Sequence, residues 1–190
     1  MGKVVGVAFV VVVAAACVAR GPEPLPLEAY RDAVVDAATL HREQVDAFQR
    51  RYERELPLLV KRLERDLQAG DARSEAAFVQ AAVAETRRAT AELLADVAGA
   101  DARYRDVLTS LTPPQAVAEE HDALVDAIGI AVAGVPGTLD ALDAAESFDA
   151  IDAALGGSVY TDAQPRIVAA CDALQRRLRD LGFGGDLGCG

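Results

Sequence analysis

The sequence predicts an all-α protein, built as an antiparallel up-down bundle of about four long helices with or without one short extra helix. The main observation is that apolar residues recur at spacings of three, four and four in two long stretches between residues 27 and 111. This eleven-residue period is close to the natural turn of a straight helix, so each apolar stripe stays on one face. A low aromatic content of 5% also fits helices that pack through Leu, Val and Ala. Two stripes of this length can pack along one another, and the remaining helices must then cover their open side.

The first long helix is expected to begin at Leu27 and to end at a turn formed by Ala69-Gly70-Asp71. Pro57 lies inside its apolar pattern and removes one backbone hydrogen bond, so we expect a kink or a short break near Leu56. The stripe continues on both sides of the proline, which predicts that both halves face the same core. Its members are Val34, Ala37, His41, Val45, Phe48, Tyr52, Leu56, Leu59, Leu63 and Leu67.

Basic side chains cluster on the outer faces of this helix. They are Arg50, Arg51, Arg54, Lys61, Arg62 and Arg65. A patch for anionic lipid headgroups is one interpretation. We favour a solvated face with ion pairs such as Arg51 with Glu55 and Arg62 with Asp66, because these spacings suit helical pairs.

The second long helix is expected to begin after Asp71 or Ser74, either of which can cap it, and to run to Leu111. A sharp stop follows, at which Thr112 is expected to cap a third helix with Pro113 at its first position. The stripe of the second helix consists of Phe78, Ala82, Thr86, Ala89, Leu93, Val97, Ala100, Tyr104, Leu108 and Leu111.

The third helix carries apolar residues up to Gly134-Val135-Pro136-Gly137, a segment that either kinks it or ends it. Between residues 122 and 165 the chain contains no Lys or Arg, and carboxylates recur every third residue from Asp140 to Asp152. Spacing by three spreads these groups around a helix, so an acidic surface is favoured over a cation site. A last helix is expected from Asp162 to Leu181, with Gly182 as its C-terminal stop.

The first twenty residues have the parts of an export signal: a positive start at Lys3, an apolar run from Val4 to Ala16, and small residues before Cys17. The run is too short to span a bilayer comfortably, because spanning takes about 20 residues. The sequence Ala14-Ala15-Ala16-Cys17 resembles the lipobox of bacterial lipoproteins. This resemblance implies that Cys17 is lipidated and becomes the mature N-terminus. Cleavage by an ordinary signal peptidase and retention as an anchor are the alternatives.

The domain boundaries follow from this interpretation. Residues 1–16 form the signal peptide, residues 17–26 a lipid-anchored tether rich in proline, and residues 27–190 the helical bundle domain. Alternate prolines in the tether favour an extended polyproline II conformation. The whole layout resembles the helical-bundle lipoproteins of bacteria. That resemblance implies an extracytoplasmic domain at a membrane surface and supplies no catalytic or binding residue.

Cysteine usage points to the same compartment. With Cys17 lipidated, Cys171 and Cys189 remain as a pair, and disulfides persist in oxidising compartments. Cys171 lies on the inward face of the last helix, and Gly182 can reverse the chain so that the tail returns to it. We therefore predict a disulfide between Cys171 and Cys189. The alternative is two unrelated thiols in a cytoplasmic protein.

Both histidines, His41 and His121, fall within apolar stripes and form a weak candidate ligand site. A metal or haem would need them in one layer with further ligands, yet counting about 1.5 Å per residue separates them by about 9 Å in height. We assign no carboxylate to the long stripes and find no Glu-x-x-His or Cys-x-x-Cys-His motif, so we predict no metal and no cofactor. Each histidine is predicted to bond a neighbour at the edge of the core.

The sequence contains no Gly-x-Ser-x-Gly, no phosphate-binding glycine loop and no His-Glu-x-x-His, so we predict that the protein is not an enzyme. A net charge of -11 argues against a nucleic-acid partner. We predict an exported protein at the outer face of the cell membrane or in the periplasm, anchored through lipid on Cys17. It would act as an interaction or structural module with a protein partner in the cell envelope. The alternative is a bundle that binds a small ligand or metal around His41, Thr86 and His121.

Overall fold

The computed structural model describes residues 23–68 and 75–189, except for the side chain of Leu67. Over these residues the chain is entirely helical in its regular structure, which confirms the predicted all-α bundle. Four helices are long and one is short, and a 3-10 turn over Gln115–Val117 precedes the third. The helices are α1 Leu27–Gln68, α2 Glu75–Ser110, α3 Ala118–Asp143, α4 Phe148–Gly156 and α5 Val159–Asp180.

The helices pack as a chain of neighbours. Helix α1 lies along α2, α2 along α3, and α3 along α5, while the short α4 contacts α3 and α5. One core cluster lies at the end of the bundle where α1 begins, and its largest fully buried side chains are Tyr30, Leu108, Leu124, Ile128 and Leu174. A second cluster joins α2, the C-terminal half of α3, and α4.

The two halves of α1 have different surroundings. Between Tyr30 and Ala38 the helix contributes four buried residues to the first core cluster. Between Arg42 and Gln68, Leu59 is the one buried residue among the described side chains. The expectation that other helices cover the whole apolar stripe is therefore wrong for this second half. The expectation fails because α1 is longer than the helices that would cover it. The 42 residues of α1 extend about 63 Å, whereas the 26 residues of α3 extend about 39 Å.

Three helices contain an interior proline, Pro57, Pro136 and Pro165, and none of the three helices is interrupted. Helix α1 continues through Pro57, which excludes a short break near Leu56, whereas a kink there stays a prediction. Proline removes a single backbone hydrogen bond, and Leu59 remains buried just beyond it. Helix α3 likewise continues through Pro136 to Asp143, which excludes an end within this segment.

The segment before Pro136 has a packing function. A Cβ atom added at Gly134 would lie 2.7 Å from Cβ of Val159, so glycine permits α5 to begin in close contact with α3. The hydroxyl of Thr138 donates a hydrogen bond of 3.1 Å to the carbonyl of Gly134. Close packing at this point favours a continuous α3 over a turn.

The start of the third helix differs from its prediction. Thr112 does not cap it; α3 begins at Ala118 after the 3-10 turn, without a side-chain cap. The turn places Val117 fully inside the core. The carbonyl of Thr112 accepts a hydrogen bond of 3.0 Å from the backbone N–H of Leu25. This bond fixes the end of the proline-rich segment to the bundle.

Within the described part of the chain, one helical stretch is long and apolar enough to cross a bilayer. It spans Gln115–Asp143 and has a mean hydropathy of 1.4. Core helices of soluble proteins pass the same test, and α3 packs against both α2 and α5. We therefore describe α3 as the central helix of this bundle.

Candidate functional site

A polar network joins three helices where the two halves of α1 meet. His41 on α1 and Tyr160 on α5 both reach Asp101 on α2. His41 Nε2 lies 2.7 Å from Oδ1 of Asp101, and the hydroxyl of Tyr160 donates to Oδ2 over 2.9 Å. Because a carboxylate only accepts, His41 Nε2 carries the hydrogen in this pair. Both carboxylate oxygens of Asp101 are thus engaged.

The surroundings of this network are apolar and aromatic. The ring of His41 stacks on Tyr104, with centroids 4.9 Å apart and an interplanar angle of 23°. Burial raises the pKa of Tyr104 to about 12. Burial, followed by the nearby Asp101 carboxylate, raises the pKa of Tyr160 well above its ordinary value. Both phenols are therefore neutral near pH 7.

Asp101 is the residue that the sequence interpretation missed. It is 7% exposed, although the long stripes were interpreted as free of carboxylates. It lies four residues after Val97 and three before Tyr104, a spacing that fits the stripe as well as the neighbouring Ala100 does. Both residues are buried. The available signal was His41 in the facing stripe, because a histidine there can pair with a buried carboxylate.

His121 belongs to a separate contact. Its Nδ1 lies 2.9 Å from the hydroxyl of Tyr30, and both residues are buried. Burial lowers the pKa of His121, and the carboxylate of Asp122 opposes part of this shift. Burial is also the main cause that raises the pKa of Tyr30. At neutral pH this is a hydrogen bond between two uncharged groups.

The residues proposed for an interior ligand site are not brought together. Tyr30, which bonds His121, precedes His41 by eleven residues on α1, a distance of about 16 Å along the helix. Thr86 precedes Asp101 by fifteen residues on α2, or about 22 Å. Among residues 23–68 and 75–189, no group of three or more His, Cys, Asp or Glu is placed to hold a metal ion.

Among the grooves between α1 and α2, two are lined in part by aromatic side chains. The first has a volume of about 280 Å³, and its lining includes Leu40, His41, Tyr104 and Val107. Enclosed ligand sites in proteins are commonly larger, roughly 300 to 1,000 Å³. This groove therefore offers His41 an apolar surface and little enclosure.

The second groove lies beside the exposed half of α1 and has a volume of about 390 Å³. Its lining combines Tyr52, Leu59 and Leu93 with Arg51, Arg62 and Arg88. The expected ion pairs of Arg51 with Glu55 and of Arg62 with Asp66 are wrong. Arg51 instead pairs with Asp96 across the helix–helix contact, and Arg62 has no ion pair within the described residues.

The predicted cysteine pair is present. Cys171 and Cys189 form a disulfide with Cα atoms 5.4 Å apart. Gly182 has φ +86°, and the N–H groups of Gly182 and Phe183 donate to the carbonyls of Arg179 and Leu178. These two bonds are the glycine-dependent helix end that reverses the chain. Leu187 in the returning tail is 3% exposed and packs into the first core cluster.

The remaining predicted site lies outside the described residues. Cys17 and the leader precede residue 23, and the turn at 69–71 and the caps Asp71 and Ser74 fall between the two described ranges. Comparison of the chain with protein-family models, curated proteins and solved structures found no match.

Proposed function

We propose that this chain is an exported protein whose helical domain is held at the outer face of the cell membrane by lipid on Cys17. The domain serves there as a non-catalytic interaction or structural module of the cell envelope. This proposal combines the leader sequence with the properties of the folded domain.

The observation that carries the proposal is the bonded pair Cys171 and Cys189. A disulfide that closes the C-terminal tail onto α5 is maintained in an oxidising compartment and is opened by the reducing cytoplasm. Residues Glu23 to Pro26, which precede α1, are not helical, as a proline-rich tether requires. A compact domain on such a tether is suited to presentation at a membrane surface.

The interaction part of the proposal is supported by the exposed half of the α1–α2 pair. Its large apolar side chains are unusually accessible: Leu58 is 60% exposed, Val60 47% and Val79 45%. The second groove, lined by arginine and leucine side chains, lies on the same pair of helices. Apolar side chains grouped with arginine are typical of surfaces that contact another macromolecule.

The test is lipid labelling of the full chain in a bacterial host supplied with an alkyne-tagged fatty acid. We expect label in the membrane fraction for the wild-type chain and none for Cys17→Ser. Cys171→Ser is the matched control, because it removes a cysteine and should leave the lipid label unchanged. Unlabelled wild-type protein in the soluble cytoplasmic fraction, with both Cys171 and Cys189 reduced, would reject the proposal.

The alternative function, ligand or metal binding around His41 and His121, has one supporting observation. His41 lines the first groove, and its ring carries a buried carboxylate partner. Equilibrium dialysis of the full chain against Zn²⁺ tests this alternative, and we expect no stoichiometric binding that depends on His41. Binding of one Zn²⁺ that is lost in His41→Ala would favour the alternative.

A further inference from the structure

A second stripe runs along the solvent-exposed side of α1. We call it the outer stripe, and its members follow one another at spacings of three or four residues, which keeps them on one face of the helix. It consists of Asp32, Asp36, Leu40, Glu43, Ala47, Arg50, Arg54, Leu58, Lys61 and Arg65. All ten residues are exposed. The stripe covers about 50 Å of helix at 1.5 Å per residue.

The charges of the outer stripe are complementary to those of a second copy of the stripe that runs in the opposite direction. Carboxylates occupy its first half and cations its second, and each half contains one leucine. Asp32 corresponds to Arg65, Asp36 to Lys61, and Glu43 to Arg54, and each of these pairs has its midpoint between residues 48 and 49. The midpoint of Leu40 and Leu58 is residue 49.

We infer that the outer stripe binds the outer stripe of a second copy of this chain in an antiparallel arrangement. A two-fold axis near residues 48 and 49 would place every carboxylate of one copy opposite a cation of the other. Because the arrangement is symmetric, three correspondences generate six ion pairs, and Leu40 and Leu58 meet twice. Parallel pairing would oppose like charges, so the pattern also selects the direction.

Five of the seven charged side chains of the stripe form no ion pair among the described residues. In the part of the chain that the structure describes, Asp36, Glu43, Arg54, Lys61 and Arg65 form no ion pair. The two that do are Asp32, which pairs with its neighbour Arg31, and Arg50, which pairs with Asp46 at 3.9 Å. The fold thus leaves the stripe's complementarity available to another molecule.

The two leucines supply the apolar part of the contact. Leu40 is 54% exposed and Leu58 is 60% exposed. Leu40 borders the first groove and Leu58 borders the second. In the antiparallel pair, each leucine of one copy would lie over the groove beside the opposite leucine and cover its apolar lining.

Exposed ion pairs are individually weak and are screened by salt, so the dimer should be weak and sensitive to ionic strength. Sedimentation equilibrium of the full chain in mild detergent tests this. We expect the dimer dissociation constant to rise about ten-fold or more when salt increases from about 0.02 M to about 0.5 M, because the Debye length then falls several-fold. A chain that remains monomeric at low salt and high concentration would overturn the inference.

Charge reversal separates recognition from folding. Lys61→Glu with Arg65→Glu should abolish dimerisation at low salt, and adding Asp32→Lys with Asp36→Lys should restore it. Arg176→Glu with Arg179→Glu is the matched control, because these arginines are exposed on α5, away from the stripe. An equal loss in the control, or no recovery in the four-fold variant, would contradict the pairing.

The direction can be measured with spin labels in a Cys17→Ser background. Labels at Ala47→Cys should lie within about 20 Å of each other across the dimer, given a helix separation of about 10 Å. Labels at Gln68→Cys should lie about 60 Å apart, since each is about 30 Å from the axis. Short distances at both positions would indicate a parallel pair.

Monomers that bind vesicles of anionic phospholipid would assign the cations of the stripe to a membrane instead.

Discussion

At the scale of single residues, the fold depends on a small number of buried polar groups that connect helices distant in sequence. Asp101 connects α1, α2 and α5 through His41 and Tyr160. His121 connects α3 to α1 through Tyr30. Both contacts lie among apolar side chains, where an unpaired polar group is costly.

We expect Asp101→Ala to lower the free energy of unfolding by about 1 to 3 kcal/mol, because it leaves the ring of His41 and the hydroxyl of Tyr160 without their acceptor. Asp106→Ala is the control, an exposed residue on the same helix, and it should change stability by less than about 0.5 kcal/mol. Urea denaturation of both variants provides the measurement. Equal stability of the two would show that the network does not contribute to folding.

His121 makes stability depend on pH. Its pKa is lowered in the folded state, so the unfolded chain takes up the proton first as the pH falls through the ordinary value of about 6.5. The contribution is therefore fully present above that value and is lost as the pH falls towards the lowered pKa. We expect the stability difference between pH 7.5 and pH 5.5, taken from urea curves, to be smaller in His121→Gln than in the wild type. An unchanged difference would contradict this assignment.

Residue-level features were only partly predictable from the sequence. The prediction that each histidine bonds a neighbour is confirmed for both His41 and His121. The expected place at the core edge holds for His41 and is wrong for His121, which is buried. The partners were not predictable, because they come from helices that are 60 and 91 residues away in sequence. Asp101 was missed because it and Ala100 both fit the apolar period, and only the direction of the neighbouring helices shows that both are buried.

At the scale of helices, burial along an apolar stripe varies with the number of neighbouring helices. Leu124 on α3 is 0% exposed, whereas Leu56 in the second half of α1 is 39% exposed. We expect Leu124→Ala to cost about 2 to 5 kcal/mol of unfolding free energy and Leu56→Ala less than about 1 kcal/mol. Both substitutions remove the same atoms, so the difference between their unfolding free energies, measured by chemical denaturation, reflects the surroundings of the two leucines. Equal costs would mean that the second half of α1 is covered by more than α2.

The positions of the helices along the chain were predicted better than the extent to which other helices cover them. The eleven-residue period indicated α1 and α2 to within a few residues, because periodicity is a local property. The sequence left open whether α1 and α3 continue through Pro57 and Pro136, since packing on both sides of each proline decides it. The incomplete cover of α1 was predictable in part, because the expected last helix from Asp162 to Leu181 is about half as long as α1.

At the scale of the whole molecule, the disulfide holds the C-terminal tail against the first core cluster. Cysteines 171 and 189 are separated by 18 residues, and Leu187 fills the core beside them. We expect replacement of both cysteines by serine to lower the unfolding free energy by about 3 kcal/mol, chiefly through the entropy of the unfolded chain. Urea curves with and without dithiothreitol measure this. The reductant should destabilise the wild type and leave the double variant unchanged, and any other pattern would contradict the bridge.

The uneven cover of α1 has a further consequence for the dynamics of the chain. Segments with few buried apolar contacts open with a smaller free energy than the whole domain. Amide hydrogens between Tyr30 and Ala38 should therefore exchange with solvent only when the entire bundle unfolds. Those between Lys61 and Gln68 should exchange through local fraying of the distal turns. The two ends of one continuous helix would thus show different free energies of opening. Separation of the distal turns of α1 from α2 would leave the Asp101 network intact.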